Sequence, residues 1–341
     1  MVSIPEVVAY LPGRAVQNDE FAAFGIDSEW ITTRTGISTR YGAPPGTTAS
    51  DLAAAAARLI SPERLASVDC VITTTATPDF VSPSTAGVVA HKLGLAPSCA
   101  AFDVSAACSG FVYGVAVATS LVEQLGYTVL LTSAEVSSVF VDPADKGTGP
   151  IFGDGAAAVV LTPTVRAPSH EVSIEGLVLG ADGSDVGLVQ IPGGAGDARA
   201  RGIKHPLSPQ PPTLIRMDGR ALFIKACERM SGAAIESIER ASINHADVDM
   251  VIPHQANSRI IDSVAELTGI SRSKFFENID QVGNTISASI PIALAGALGE
   301  GKIDPGHRVV ISAFGGGTSW GAAVLSWNQS IPHTRTVKGE E

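Results

Sequence analysis

The feature that most restricts how this chain can fold is an internal echo at a spacing of 180 residues. Val68-Asp69-Cys70-Val71-Ile72 returns as Val248-Asp249-Met250-Val251-Ile252, and Gly126-Tyr127-Thr128-Val129-Leu130-Leu131 returns as Gly306-His307-Arg308-Val309-Val310-Ile311. Each is a short apolar run bounded by turn residues, the pattern of a buried strand. Between the paired runs, Phe102-Asp103-Val104 leads through Cys108 into a small-residue stretch. In the second half Asn278-Ile279-Asp280 leads through Asn284 into another, an offset of 176 from Cys108 to Asn284. Gly155-Ala156-Ala157-Ala158-Val159-Val160-Leu161 finds a fourth counterpart in Gly321-Ala322-Ala323-Val324-Leu325. Four matches in one order predict two similar halves, residues 1–165 and 166–330, followed by a flexible polar tail over 331–341.

The periodicity predicts helices over Ala49–Ile60, Thr85–Leu93, Cys108–Leu125, Leu222–Ala241, Ser258–Thr268 and Ile286–Leu298. Strands alternating with helices imply a mostly parallel sheet in each half, with helices on its faces. The stretches after Cys108 and after Asn284 are nearly free of charge, so both are expected to be buried all round, as a central layer between two sheets. Gln190–Thr213, with five prolines and four glycines, is too broken for a regular element and reads as a lid or capping loop. Gly193-Gly194-Ala195-Gly196 within it reads as flexible.

Of the 341 residues, 45% are apolar and 17% charged. That suits a well-buried globular core and disfavours disorder or a coiled coil. With no basic-then-apolar leader and no membrane-length apolar run, a cytoplasmic protein is expected. The net charge of −11 argues against nucleic acid or an anionic membrane as partner. An acidic partner would therefore need a local basic patch. Cys70, Cys99, Cys108 and Cys227 form neither a C-x-x-C pair nor a metal-ligand spacing, so neither a disulfide framework nor a metal site is expected.

Taken alone, Cys108 reads as a buried structural cysteine, as do the other three. Its place at a strand-to-helix turn opens a second reading, because a helix N-terminus favours the thiolate. His254 sits where an apolar strand breaks into Gln255-Ala256-Asn257, and the two nearby amides suggest hydrogen bonding to a ligand. Asn284 at such a junction is ordinarily a cap or turn residue; the repeat instead sets it opposite Cys108. The turn Phe314-Gly315-Gly316-Gly317 can turn backbone N–H groups onto an oxyanion; it lacks the lysine and spacing of a nucleotide loop. Gly153-Asp154-Gly155 reads as a tight turn before a strand. No G-x-G-x-x-G follows the first strand, which ranks a nicotinamide oxidoreductase low.

Ala107-Cys108-Ser109-Gly110-Phe111, Pro253-His254-Gln255-Ala256-Asn257, Gly283-Asn284-Thr285 and Phe314-Gly315-Gly316-Gly317, in that order, resemble the beta-ketoacyl-acyl carrier protein synthase III family. Trp30–Ile37 and Ile151–Gly155 also look like that family, and the likeness runs from about residue 5 to 327. It implies a thiolase-like α/β fold of five layers, αβαβα, from two pseudo-symmetric halves, usually a homodimer. It implies acyl transfer from acyl-CoA to Cys108, then decarboxylative condensation with malonyl-acyl carrier protein, with no cofactor. The resemblance assigns His254 and Asn284 to the malonyl thioester, and the N–H groups of Cys108 and Gly316 to the oxyanion hole. Trp30 and Arg34 fall to coenzyme A, and Gly219, Phe223 and Asn257 to the pantetheine tunnel. Arg259 falls to carrier-protein docking. Ser82 takes the place of a bulky acyl-pocket gate, which implies room for a longer, branched or aromatic acyl group. Lys146 stands where many members carry an adenine-stacking arginine. A priming synthase of a specialised pathway, a plain acyltransferase, and a non-catalytic acyl-thioester or carrier-protein binding module are the alternatives.

Overall fold

The computed structural model describes residues 1–193 and 213–339. Its first half holds strands β1 (Val2–Leu11), β2 (Cys70–Thr74), β3 (Ala100–Val104), β4 (Val129–Glu135) and β5 (Gly155–Pro163), in the order β3-β2-β4-β5-β1. Its second half holds β6 (Glu171–Ala181), β7 (Met250–Pro253), β8 (Arg308–Gly315) and β9 (Ser319–Trp327), in the order β7-β8-β9-β6. A single parallel bridge, Val251 to Phe275, stands where β3 would be repeated. Both halves pair parallel on the inner strands, β2 with β3 and β4, β7 with β8, and antiparallel on the hairpin side. The register repeats too: Cys70 faces Val129 and Met250 faces Val309. The sheets join where β1 meets β6 at Val2–Val172 and Ser3–Glu171.

Helices α1 (Ser28–Thr35), α2 (Ala49–Ala57), α3 (Thr85–Lys92), α4 (Gly110–Leu125), α5 (Gly219–Arg240), α6 (Ser258–Thr268) and α7 (Ser289–Gly299) complete the layers. α2 and α3 cover the outer face of the first sheet; α5 and α6 cover that of the second. α4 and α7 lie between the sheets, with Phe111, Val112 and Val115 of α4 and Ile290, Ile292 and Leu294 of α7 in one core cluster. This is the predicted five-layered αβαβα arrangement. The stretch Ala107–Leu125 is long and apolar enough to cross a membrane by length and composition. Its place in the fold is the middle of the molecule. α1 was absent from the periodicity reading because its helix carries little amphipathic signal, SEWITTRT being mostly polar.

Two expectations change. The tail is not frayed along its length: His333–Lys338 forms β10, parallel to Glu6–Leu11 of β1, and Thr334 Oγ1 donates to Ala295 O on α7. Polar side chains hid the strand, because β10 is held by backbone pairing to an edge left open beyond the β1–β6 contact. The predicted lid lies largely outside the described residues, as do Gly194 to Gly196. Its flanks meet in a short ladder, Val189–Gln190 with Arg216–Met217.

Candidate active site

The Cys108 turn is built by a strained backbone. Ala107 takes φ 45°, a conformation few non-glycine residues adopt, and Ala107–Ser109 winds as a 3-10 turn into α4. Ser109 N, Ser109 Oγ and Ser319 Oγ all donate to Ala106 O, at 3.1, 2.7 and 2.9 Å, fastening the turn to β9. The second half repeats the device: Ile286 takes φ 49° and Ile286–Ala288 winds into α7. The residue equivalent to Cys108 is therefore Ser287, not Asn284 as the sequence offset of 176 suggested. The helix starts, Gly110 and Ser289, keep nearly the strand offset; the connecting loops do not.

Around Cys108 Sγ the backbone N–H groups of Cys108 and Gly316 converge. Gly315 allows this approach, since a Cβ there would come within 2.7 Å of Cys108 N. The expected thiolate is not what the free site holds. Burial, with the charge of Glu135 added, pushes the Cys108 thiol up to about 12, and the two N–H groups offset only part of this. Desolvation outweighs the dipole of a helix that starts two residues later.

His254 is fully enclosed at the end of β7. Its N–H donates to Ser312 O at 2.8 Å, and Nδ1 pairs with Ser289 Oγ at 2.6 Å, which orients Nε2 toward the cavity it lines. Burial drives it down to about 3, so the imidazole is neutral at neutral pH. The neighbouring amides make hydrogen bonds within the fold. Gln255 Nε2 donates to Pro253 O and Phe276 O, while Asn257 caps α6 through Arg259 N and donates to Arg34 O. Asn284 is held by Asn284 N to Ile151 O and Gly153 N to Asn284 O; its Oδ1 accepts from Ile286 N at 2.9 Å. That leaves the Nδ2 donors for the cavity. Asp154, buried in its turn, accepts from Ala43 N, Ser137 Oγ and Ser138, and so knits three segments.

One cavity of about 1160 Å³ brings together Cys108, His254, Asn284 and Gly316. Trp30, Arg34, Lys146, Gly219, Phe223 and Asn257 line the same space. Arg34, Lys146 and Arg216 are exposed basic residues on its wall, a local positive patch on a chain of charge −11. Arg259 and Ser82 do not line it. Arg259 is exposed and donates to Thr33 O, and Ser82 stands on an exposed loop beside Phe80 and Val81. Sequence reasoning missed Arg216, Ser289, Ser287 and Glu135. Glu135 alone left a signal, a carboxylate closing the strand that opens with the apolar Val129-Leu130-Leu131.

A two-sheet sandwich with paired helix N-termini at a cysteine and a His/Asn wall defines a thiolase-like condensing enzyme. The sequence profile of 3-oxoacyl-[acyl-carrier-protein] synthase III matches residues 102–183, and that of its C-terminal part matches 238–327. The chain is 43% identical over 326 residues, 93% of this chain and 94% of the other, to beta-ketoacyl-[acyl-carrier-protein] synthase III 3 of Streptomyces coelicolor. The crystal structure of 3-oxoacyl-(acyl carrier protein) synthase III from Pseudomonas aeruginosa superposes with TM-score 0.85 at 36% identity, covering 97% of this chain and 99% of that one. The priming beta-ketosynthase from the R1128 polyketide biosynthetic pathway gives TM-score 0.85 at 30% identity, with 97% of each chain covered. The chain belongs to the beta-ketoacyl-acyl carrier protein synthase III family and is an acyl-transferring condensing enzyme.

Proposed function

We propose that this enzyme takes an acyl group from acyl-CoA onto Cys108 and condenses it with malonyl-acyl carrier protein, releasing carbon dioxide and a 3-oxoacyl thioester. The observation that carries the reading is the division of the cavity wall. Two N–H groups meet at Cys108 Sγ, while His254 Nε2 and Asn284 Nδ2 face the cavity with their other ring nitrogen and amide oxygen already engaged. The N–H pair of Cys108 and Gly316 suits the oxyanion of acyl transfer. A neutral imidazole and an amide suit the enolate oxygen formed as malonyl loses carbon dioxide; a cationic imidazole there would be costly to bury. Covalent storage on sulfur divides one hard step into two easier ones.

Trp30, Arg34 and Lys146 would receive the coenzyme A end, and Gly219, Phe223 and Asn257 the pantetheine arm, with no cofactor taking part. Lys146 offers a point charge to phosphate where an arginine would also stack. Arg259 would meet the acidic carrier protein. A homodimer is supported by β3, an edge strand among the described residues, whose Ala100-Ala101-Phe102 are only partly covered. In such a dimer Ser82 would sit at the partner's acyl pocket, and its small side chain admits a longer or branched chain. The enzyme would work in the cytoplasm, initiating fatty-acid or polyketide-type synthesis.

The test is an acyl-CoA panel read by intact mass, followed by malonyl-acyl carrier protein. A Cys108 adduct that is discharged into a 3-oxoacyl product is the expected result. Absence of any adduct sinks the reading, and an adduct from acetyl-CoA alone sinks the part assigned to Ser82.

A further inference from the structure

Superposing the two halves by their strand offset of 180 sets Glu135, the last residue of β4, on Gly315, the last residue of β8. At Gly315 the missing side chain leaves Cys108 N open. At the equivalent place in the other half a carboxylate is present, and it points at the residue equivalent to Cys108. Glu135 Oε1 accepts from Ser287 Oγ at 2.5 Å and from Ser287 N at 3.3 Å. The same carboxylate accepts from Ala76 N at 3.0 and 3.1 Å and from Thr77 Oγ1 at 2.8 Å. It is fully enclosed, and every one of these partners is neutral. The Ser287 turn lies directly against the nucleophile's turn, for a Cβ on Gly110 would meet Ser287 Cβ at 3.3 Å.

We infer that Glu135 is a positioning residue of the acylation step: it fills the second, pseudo-symmetric oxyanion position, holds the Ser287 turn against the Cys108 turn, and through its charge governs how readily Cys108 ionises. A uniform geometric brace could be built from an amide or a hydroxyl. Among the described residues no cation pairs with this carboxylate, and beside a thiol that must become a thiolate its charge has an electrostatic consequence as well. Burial pushes Glu135 itself up to about 7, so the charge opposing the thiolate is present or absent according to conditions near neutrality. The inference takes Cys108 as the acyl-carrying thiol, yet its test does not need that step.

The test is the pH profile of Cys108 alkylation by iodoacetamide, followed by intact mass, in wild type and Glu135→Gln. Gln keeps the shape and loses the charge. The profile is expected to move to lower pH, with alkylation at pH 8 about tenfold faster, the effect of about one unit in the thiol. Ser287→Ala removes a hydroxyl that favours the charged carboxylate, so it should quicken alkylation in the same direction around pH 7, even if Glu135→Gln fails to fold. Glu135→Asp, which keeps the charge, should show no acid shift. Folded Glu135→Gln or Ser287→Ala with an unmoved profile overturns the inference. Loss of the acyl-CoA adduct with the shift intact would overturn only the role of Cys108.

Discussion

Asn284 Oδ1 is committed to the Ile286 N–H and His254 Nδ1 to Ser289 Oγ, so each side chain has one donor edge left for chemistry. Asn284→Ala removes that edge, and with it the Oδ1 bond to Ile286 N, while leaving the hydrogen bonds of the Cys108 turn itself in place. We expect the acyl adduct to form at close to the wild-type rate, while release of carbon dioxide from malonyl-acyl carrier protein falls about 100-fold, the usual cost of losing one such donor. Separate adduct-mass and carbon dioxide assays check this, and parallel loss of both would contradict it. The roles proposed for these residues follow in the sequence only from the family motif. Chain position alone made Asn284 a cap, and it is indeed partly one, since its carbonyl oxygen holds the next turn. The amide of Gln255 misled for the opposite reason. It looked poised for hydrogen bonding beyond the fold, but a strand that ends in a buried loop must satisfy its own backbone groups first.

At the scale of elements, the repeat in β2 and β4 could be read because these buried strands keep their spacing of 180, whereas the loops that carry the site do not. Cys108 and Ser287 correspond by conformation, through the positive φ of Ala107 and Ile286, and no composition rule marks a non-glycine residue in that region. The strain gives a direct test. Ala107→Gly relieves about 1–2 kcal/mol of left-handed cost and adds about 0.5–1 kcal/mol of unfolded-state entropy, so stability should rise by at most about 1.5 kcal/mol. Acylation should slow, because the turn that aims Sγ becomes free to relax; denaturant melts and adduct kinetics on one preparation check both. β10 was invisible for another reason: its sequence, His-Thr-Arg-Thr-Val-Lys, alternates without an apolar face, yet it covers six residues of the β1 edge. Deleting residues 332–341 should lower stability by roughly 2 kcal/mol, the ladder's net hydrogen bonding less the entropy of ordering it, and promote association through the exposed edge. Melting and light scattering would show it, and an unchanged melt would mean the edge is satisfied some other way.

Over the whole molecule, two buried groups on opposite sides of the pseudo-twofold shape how stability depends on pH. His254 titrates near 6.5 when unfolded and at about 3 when folded, so its contribution is complete above pH 6.5 and is lost as pH falls toward 3. The full span is on the order of 5 kcal/mol. Glu135 runs the other way. Its carboxyl rises from 4.5 to about 7 on folding, so its contribution is present below pH 4.5 and is lost as pH rises to 7, a span on the order of 3 kcal/mol. Between pH 4.5 and 6.5 the two slopes oppose and nearly cancel; below 4.5 only His254 acts. The difference in Tm between wild type and each variant isolates the two effects. His254→Asn should gain on wild type steadily as pH falls from 6.5 to 3, and Glu135→Gln should gain on it as pH rises from 4.5 to 7. Difference curves that stay flat across those windows would mean that one or both groups reach solvent in the folded enzyme. That outcome would also remove the reason for a neutral imidazole at the condensing site, so the same titration bears on the chemistry.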